Sequence, residues 1–192
     1  MLADEVGLGK TIGALMVLKE YIQRSMVKSA LMLTPTPLVS QWKEEMEVKF
    51  GLNFPSTNDP GYYTREQSFW KEDFILASIN LAKSKKNFPI VTQREYDIVI
   101  VDEAHYLKDR NTLNWKLINA LKKRFLLLLT ATPVENNLME LYNLVAERVL
   151  PTSTFVIIST RSAPYAAKNV RFVRDPFFGL RNKFIRICFW IS

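Results

Sequence analysis

Short runs of apolar residues, each bounded by polar or turn-forming residues, recur along the chain. Four of them have the length and composition of buried strands, and they cover residues 29–34, 74–78, 97–102 and 124–130. Apolar residues follow one another in these runs without regular alternation, which is typical of parallel strands covered on both faces. Residues 154–159 form a further strand candidate.

Between these runs, apolar residues recur at the spacing of about 3.6 that an amphipathic helix requires. This spacing predicts helices over residues 11–24, 38–50, 113–123 and 138–148. Gly51 is placed to end the second helix, and the prolines and asparagines of residues 53–65 predict a loop. Strands that alternate with helices indicate an α/β fold with a parallel sheet.

The composition is that of an ordinary globular protein. The chain has 192 residues, of which 48% are hydrophobic and 23% are charged. A single cysteine, Cys188, excludes an internal disulfide framework and fits a reducing compartment. No stretch approaches the roughly 20 apolar residues of a membrane span. We therefore expect no membrane association and a cytosolic protein, or a nuclear one if the source is eukaryotic.

The net charge of +7 is distributed unevenly. Residues 1–150 hold 19 Lys and Arg against 18 Asp and Glu, whereas residues 151–192 hold 7 Lys and Arg against Asp175 alone. The excess charge therefore lies almost wholly in the last segment. The total does not predict a basic nucleic-acid-binding patch on the main body.

The segment DEVGLGKT at residues 4–11 ends in the Gly-Lys-Thr of a phosphate-binding loop. Glycines lack a Cβ atom and allow several backbone N–H groups to point at one anion. Lys10 can reach the β- and γ-phosphates of a nucleotide, and the Thr11 hydroxyl can bind Mg²⁺. Asp4 departs from the usual G-x-x-x-x-G-K-[ST] pattern, which has glycine at this position.

Two further polar segments follow predicted strands. Asp102 ends the strand at 97–102 and Glu103 follows it. A carboxylate at this place could bind Mg²⁺, and its neighbour could orient or deprotonate a water molecule. The alternative structural interpretations are an acidic pair at the start of a helix and, for His105, an ordinary surface or core histidine. Thr130 ends the leucine-rich strand and Thr132 lies just beyond it, where the two hydroxyls could hydrogen-bond near a γ-phosphate or to the acidic segment. The alternative is a helix cap and turn.

Four segments in order resemble the motifs of the first RecA-like lobe of Swi/Snf-family ATPases, the DNA translocases of helicase superfamily two. They are DEVGLGKT (4–11), LTPTPLVSQW (33–42), DEAH (102–105) and LTATPVENNLMEL (129–141). Asp4 is usual in that family, so the departure from the general pattern disappears. The resemblance covers about residues 1–146 and implies a three-layer α/β/α P-loop NTPase lobe.

The resemblance also implies that ATP is bound with Mg²⁺. Backbone donors of Gly7, Leu8 and Gly9 would hold the phosphates, Lys10 would neutralise their charge, and Thr11 would bind the metal.

Catalytic roles follow by the same resemblance at the second and fourth segments. Asp102 would share Mg²⁺, Glu103 would activate water, and His105, Thr130 and Thr132 would couple the nucleotide to the DNA.

Hydrolysis would drive movement on double-stranded DNA. The family resemblance makes Thr34, Thr36 and Gln41, and more weakly Ser78, candidates for contacts with the DNA backbone. We expect Trp42 to pack its helix against the lobe rather than to stack on a base.

The family resemblance further implies a second RecA-like lobe, in the same chain or another, which supplies arginine fingers. We expect residues 1–150 to form the first lobe, truncated within its first strand, and residues 151–192 to form a basic, aromatic tail. The tail is either a nucleic-acid-binding extension or sequence unrelated to the lobe. The alternative function is a non-catalytic remnant or interaction module.

Overall fold

Every apolar run predicted as a strand belongs to one parallel sheet. The computed structural model describes residues 8–107, 109–130 and 154–159. The strands are β1 (Ala30–Thr34), β2 (Phe74–Ser78), β3 (Glu95–Val101), β4 (Lys122–Thr130) and β5 (Thr154–Ser159). They lie in the order β2-β1-β3-β4-β5, and each adjacent pair is parallel. The predicted α/β fold with a parallel sheet is confirmed.

One helix precedes β1, and helices connect the strands from β1 to β4. They are α1 (Leu8–Gln23), α2 (Val39–Phe50), α3 (Glu66–Phe69), α4 (Ile79–Ala82), α5 (Phe88–Gln93) and α6 (Leu113–Ala120). Gly51 ends α2 as predicted, since its φ of 64° is left-handed and its N–H donates to the Glu47 carbonyl. Within the described residues, the short helices α3, α4 and α5 were not predicted. The predicted helix over 138–148 lies outside the described residues.

The predicted end of the sixth helix, at residue 123, is wrong. The helix stops at Ala120 because Leu121 turns to an extended conformation with a ψ of 131°. Lys122 and Lys123 then pair with Glu95 and Tyr96 in the β3–β4 ladder. Sheet pairing therefore includes two residues, Lys122 and Lys123, that the helical pattern had placed in the helix.

Two apolar clusters cover the two faces of the sheet. On β4, Leu126 and Leu128 pack into one cluster, and Leu127 and Leu129 pack into the other. Side chains of α1 and α2 join the second cluster, whereas side chains of α4, α5 and α6 join the first. This arrangement is the three-layer α/β/α architecture, and it explains why the strand runs are continuously apolar.

The segment 154–159 lies in the part that the sequence assigned to the tail, yet it forms β5 beside β4. The division of the chain at residue 150 remains a prediction. In the described parts of the chain, none of the helices has the length and apolar character that a membrane crossing requires.

Lys123 lies at the end of β4 that is remote from the carboxyl ends of the strands. Its ammonium donates to the carbonyl oxygens of Ile118 and Leu121, at 2.7 Å and 3.0 Å. Burial lowers the pKa of Lys123 from 10.5 to about 8, because a charged ammonium is poorly solvated there.

Comparison with Lys123→Met should reveal the effect of burying Lys123 as a pH-dependent difference in the free energy of unfolding. Between about pH 8 and 10.5 the unfolded chain holds the proton that the folded chain has released, so folding becomes more favourable as pH rises. The wild type should therefore gain stability relative to Lys123→Met across that window, by up to about 3 kcal/mol.

Urea unfolding at pH 7, 9 and 10 measures this difference. Lys122→Met, at an exposed neighbour on the same strand, is the control for the loss of a lysine. A stability difference between wild type and Lys123→Met that stays constant over this range would contradict the prediction.

Candidate functional site

The carboxyl ends of β1 and β3 lie side by side and bring polar residues together. Leu33 pairs with Val101 in the parallel ladder, and the Asp102 N–H donates to the Leu33 carbonyl at 2.8 Å. Thr34 and Asp102, which come next on each strand, therefore become neighbours. This is the edge at which open α/β sheets bind ligands.

Asp102 is a buried carboxylate with three protein donors. Its Oδ2 accepts from the Trp42 indole Nε1–H at 2.8 Å and from the Thr34 hydroxyl at 3.4 Å. Its Oδ1 accepts from the backbone N–H of Glu103 at 2.8 Å. Burial raises the pKa of Asp102, against the opposing effects of the Trp42 hydrogen bond and the positive charge of Lys10.

Glu103 adopts an unusual backbone conformation, with a φ of 50°. A side chain other than glycine is strained in this left-handed region, and such strain is common at functional sites. In this conformation Glu103 Oε1 lies 3.5 Å from the ammonium of Lys10, a residue that is only 4% exposed. The conformation of Glu103 thus supports an ion pair between α1 and the end of β3.

His105 lies beside Glu103, with its Nδ1 3.0 Å from Glu103 Oε2. Neither atom makes a hydrogen bond within the described residues, although both are buried. The pair is therefore close but poorly aligned, and it retains hydrogen-bonding capacity for a further group.

Lys10 and Thr11 lie in the first turn of α1, which begins at Leu8, and both side chains are buried. The free N–H groups and the dipole of a helix N-terminus attract anions. Gly7, which was predicted to contact phosphate, lies outside the described residues, whereas Gly9 is the second residue of the helix. The described part of the loop therefore presents Lys10 at the same site as Glu103.

The predicted DNA-contact residues divide into exposed and buried pairs. Thr36 and Gln41 are exposed. Thr34 is 1% exposed and directs its hydroxyl at Asp102, and Ser78 is 0% exposed. The Ser78 and Thr36 hydroxyl oxygens are 2.6 Å apart, so the buried Ser78 is hydrogen-bonded to the exposed Thr36.

Asn80 adds to this polar surface, because its amide donates to Thr36 Oγ1 at 3.4 Å. Asn58 donates to the exposed Ser40 at 3.0 Å. Neither asparagine was predicted to contribute to this polar surface. A signal was present for Asn80, which follows Ser78 by two residues at the predicted end of β2.

The contact of Trp42 with Asp102 was also missed. The packing expected of Trp42 agrees with its burial in the cluster shared with α1, but its indole N–H also bonds a residue 60 positions away. A buried tryptophan normally needs a partner for this N–H, and the sequence gives no indication of which one.

Thr130 ends β4 at this same edge of the sheet, and Thr132 lies outside the described residues.

Comparison with known proteins assigns this chain to a family. A family model described as "SNF2-related domain" matches residues 1–152. A curated relative, "Uncharacterized ATP-dependent helicase YqhH" of Bacillus subtilis, is 44% identical over 146 residues, covering 76% of this chain and 25% of the relative. "RNA polymerase-associated protein RapA" of Vibrio vulnificus is 32% identical over 180 residues, covering 86% and 19%.

Solved structures share the fold. The "Sulfolobus solfataricus SWI2/SNF2 ATPase core in complex with dsDNA" superposes with a TM-score of 0.59 at 23% identity, covering 74% of this chain and 30% of that one. The Hef helicase domain of Pyrococcus furiosus gives 0.58 at 24% identity, covering 88% and 36%. The RecA-like fold implied by the sequence motifs is confirmed.

These relatives are much longer than this chain, which spans about a fifth to a quarter of the curated ones. The family match covers most of the chain and includes all four motifs. The resemblance to Swi/Snf proteins is confirmed, and the chain belongs to the SNF2-related domain family of helicase-like ATPases.

Proposed function

We propose that this chain is the ATP-binding lobe of a DNA-dependent SNF2-type ATPase, whose hydrolysis drives movement on double-stranded DNA in the complete enzyme. The observation that carries the proposal is the convergence of Lys10, Asp102 and Glu103 at one edge of the sheet. Lys10 and Glu103 are 3.5 Å apart, and the Lys10 charge partly opposes the rise in pKa that burial causes at Asp102. Ionisable groups gathered at the carboxyl ends of parallel strands are typical of a functional site.

The N-terminus of α1 would hold the phosphates. Backbone N–H groups of Gly7, Leu8 and Gly9 would donate to phosphate oxygens, and Lys10 would neutralise the β- and γ-phosphates. The Thr11 hydroxyl belongs to the same turn and is buried with Lys10.

The donor set fits Mg²⁺. Asp102 and Thr11 offer hard oxygen ligands, and Mg²⁺ commonly binds one or two protein groups together with substrate phosphates. A bound Mg²⁺ would neutralise charge that develops on the transferring phosphoryl group. The buried and oriented Asp102 carboxylate would hold it.

Glu103 would orient and activate the attacking water. In the free chain its carboxylate pairs with Lys10, and the γ-phosphate would compete for that ammonium. Glu103 would then be free to accept a proton from water. His105 lies against Glu103 and would, with Thr130 and Thr132, relay the state of the nucleotide toward the DNA.

Double-stranded DNA would bind where β1 and β2 end. Exposed Thr36 and Gln41 would contact the DNA backbone, while Ser78 and Thr34 would hold this edge from within. Hydroxyl and amide contacts of this kind fix position and carry little sequence information. The Sulfolobus ATPase core that shares this fold was solved in complex with double-stranded DNA, which supports this choice of partner. Such a protein would act at the nucleoid, or in the nucleus of a eukaryote.

Turnover would need a second RecA-like lobe, from the same protein or from another chain. An arginine finger supplied by a partner raises phosphoryl-transfer rates by roughly 10³–10⁵ in other enzymes. Lys10 is the described cation beside Glu103, and the arginine finger would come from the second lobe. This chain would therefore bind and position the nucleotide, and the second lobe would complete the site for hydrolysis.

Binding of ATP with Mg²⁺ tests the proposal by isothermal titration calorimetry. The wild-type chain should bind Mg²⁺·ATP, and Lys10→Ala should weaken binding tenfold or more, because it removes the buried cation that faces the phosphates. Lys19→Ala, on the same helix, is the control for loss of a lysine. Wild-type binding that is no tighter than that of Lys10→Ala would contradict the proposal and favour a non-catalytic interaction module.

Glu103→Gln should increase the stabilisation that Mg²⁺·ATP gives to the fold. In the free chain this change leaves the buried Lys10 ammonium without its carboxylate, so the nucleotide-free variant should melt earlier than the wild type. A bound phosphate should replace the lost partner, and the ATP-induced rise in melting temperature should exceed that of the wild type.

Thermal unfolding with and without Mg²⁺·ATP measures both effects. Glu47→Gln removes a carboxylate that pairs with Lys43 on the outer face of α2 and is the control. An equal nucleotide-induced shift in wild type and Glu103→Gln would show that phosphate does not compete for Lys10.

Steady-state hydrolysis should be negligible for this chain alone, with or without double-stranded DNA. A second lobe supplied from a related SNF2-type protein should raise the rate, because it brings an arginine finger to the phosphoryl group. The control is the same added lobe with its arginine fingers replaced. Turnover by the chain alone at the level of a two-lobed relative would contradict the proposal that the second lobe is needed for hydrolysis.

A further inference from the structure

The indole of Trp42 is fixed inside the lobe. It is 3% exposed and packs in the cluster that α1 and α2 share over one face of the sheet. Its Nε1–H reaches out of this apolar cluster to Oδ2 of Asp102 at 2.8 Å. A planar ring held on all sides offers its donor in one direction only, so the carboxylate must align with it.

The remaining donors of Asp102 complete this alignment. An ionised carboxylate can accept at about four positions. Trp42 and Thr34 both donate to Oδ2, and the Glu103 N–H donates to Oδ1. Three of these positions are thus taken by protein donors, and a free position remains on Oδ1.

We propose that Trp42 is a positioning residue for Mg²⁺: its indole N–H holds Oδ2 of Asp102 so that Oδ1 faces the metal of the bound nucleotide. The inference rests on the proposed function, since it concerns the same nucleotide site. It assigns Trp42 a role beyond the packing of α2. Hydrogen bonds to a metal-binding carboxylate fix its orientation, and their loss commonly weakens metal affinity 10- to 100-fold.

The role of Trp42 differs from that of an ordinary buried tryptophan, and the chain offers a matched comparison. Trp70 is 1% exposed and lies in the apolar cluster on the opposite face of the sheet. Replacing either ring with phenylalanine removes similar volume and one N–H. The carboxylate of Asp102 loses a donor only when Trp42 is replaced.

The test compares ATP affinity with Mg²⁺ and with EDTA in wild type, Trp42→Phe and Trp70→Phe, using the whole chain. In Trp42→Phe the gain in affinity that Mg²⁺ provides should fall about tenfold or more, while metal-free ATP affinity should stay within about twofold of wild type. Trp70→Phe should keep the full gain.

Two results would overturn the positioning role. In one, Trp42→Phe keeps the wild-type gain from Mg²⁺; in the other, it loses affinity equally with and without the metal, as a packing defect would. Failure of the proposed function looks different: wild-type ATP binding would then be no tighter than that of Lys10→Ala. That result would contradict the proposed function and, with it, the role of Trp42 in metal binding.

A second measurement does not depend on Trp42→Phe folding or on any nucleotide. In a ¹⁵N-tryptophan-labelled chain, the Trp42 indole N–H is identified by elimination, through phenylalanine substitution of Trp70, Trp115 and Trp190 in turn. It should resonate downfield of the other three and move upfield in Asp102→Asn, because a neutral amide accepts more weakly than a carboxylate. An unchanged Trp42 signal in Asp102→Asn would overturn the inference.

Discussion

The pairing of β1 with β3 is the constraint on which the site depends. Because the two strands run parallel with Leu33 opposite Val101, Thr34 and Asp102 emerge together at one edge of the sheet. A shift of one residue would send the side chains of the strand to the opposite face. Both faces of these strands are apolar, so it is the close packing of particular side chains against the helices that opposes such a shift. The apolar core thereby sets the position of the polar site.

Burying charge at this edge requires partners, and each charged group has one. The Asp102 carboxylate is held by Trp42, Thr34 and the Glu103 N–H, and the Lys10 ammonium is held by Glu103. An isolated buried charge would cost far more than the paired groups do. The same helix α2 carries Trp42 and directly follows the turn that contains Thr36. A single rigid element therefore joins the proposed DNA-contact segment to the buried carboxylate.

The sequence predicted the sheet well because its strands are buried on both faces, which leaves long apolar runs such as 124–130. The sequence motifs also predicted that Lys10, Asp102 and Glu103 belong to one nucleotide site. The short helices α3, α4 and α5 escaped prediction because four to six residues carry too little periodicity. The end of α6 was misplaced because pairing with β3 outweighed a local helical pattern.

Contacts between distant residues were out of reach for another reason. Nothing in the residues around Trp42 indicates that its N–H meets Asp102, since the tertiary fold alone joins them. Likewise, Thr34 is buried at the end of the central strand β1 and Ser78 at the end of the edge strand β2, whereas the family resemblance grouped them with the exposed Thr36 as DNA-contact candidates. A motif identifies which residues matter, and the packing decides which of them face solvent.

The most direct test of the nucleotide site is a crystal structure of this chain with a non-hydrolysable ATP analogue and Mn²⁺, whose anomalous scattering locates the metal. Our interpretation predicts Mn²⁺ bound at Asp102 and Thr11, with the Lys10 ammonium moved from Glu103 to the phosphates. A structure in which the analogue binds elsewhere, or in which Lys10 keeps its pairing with Glu103 beside bound phosphates, would contradict it.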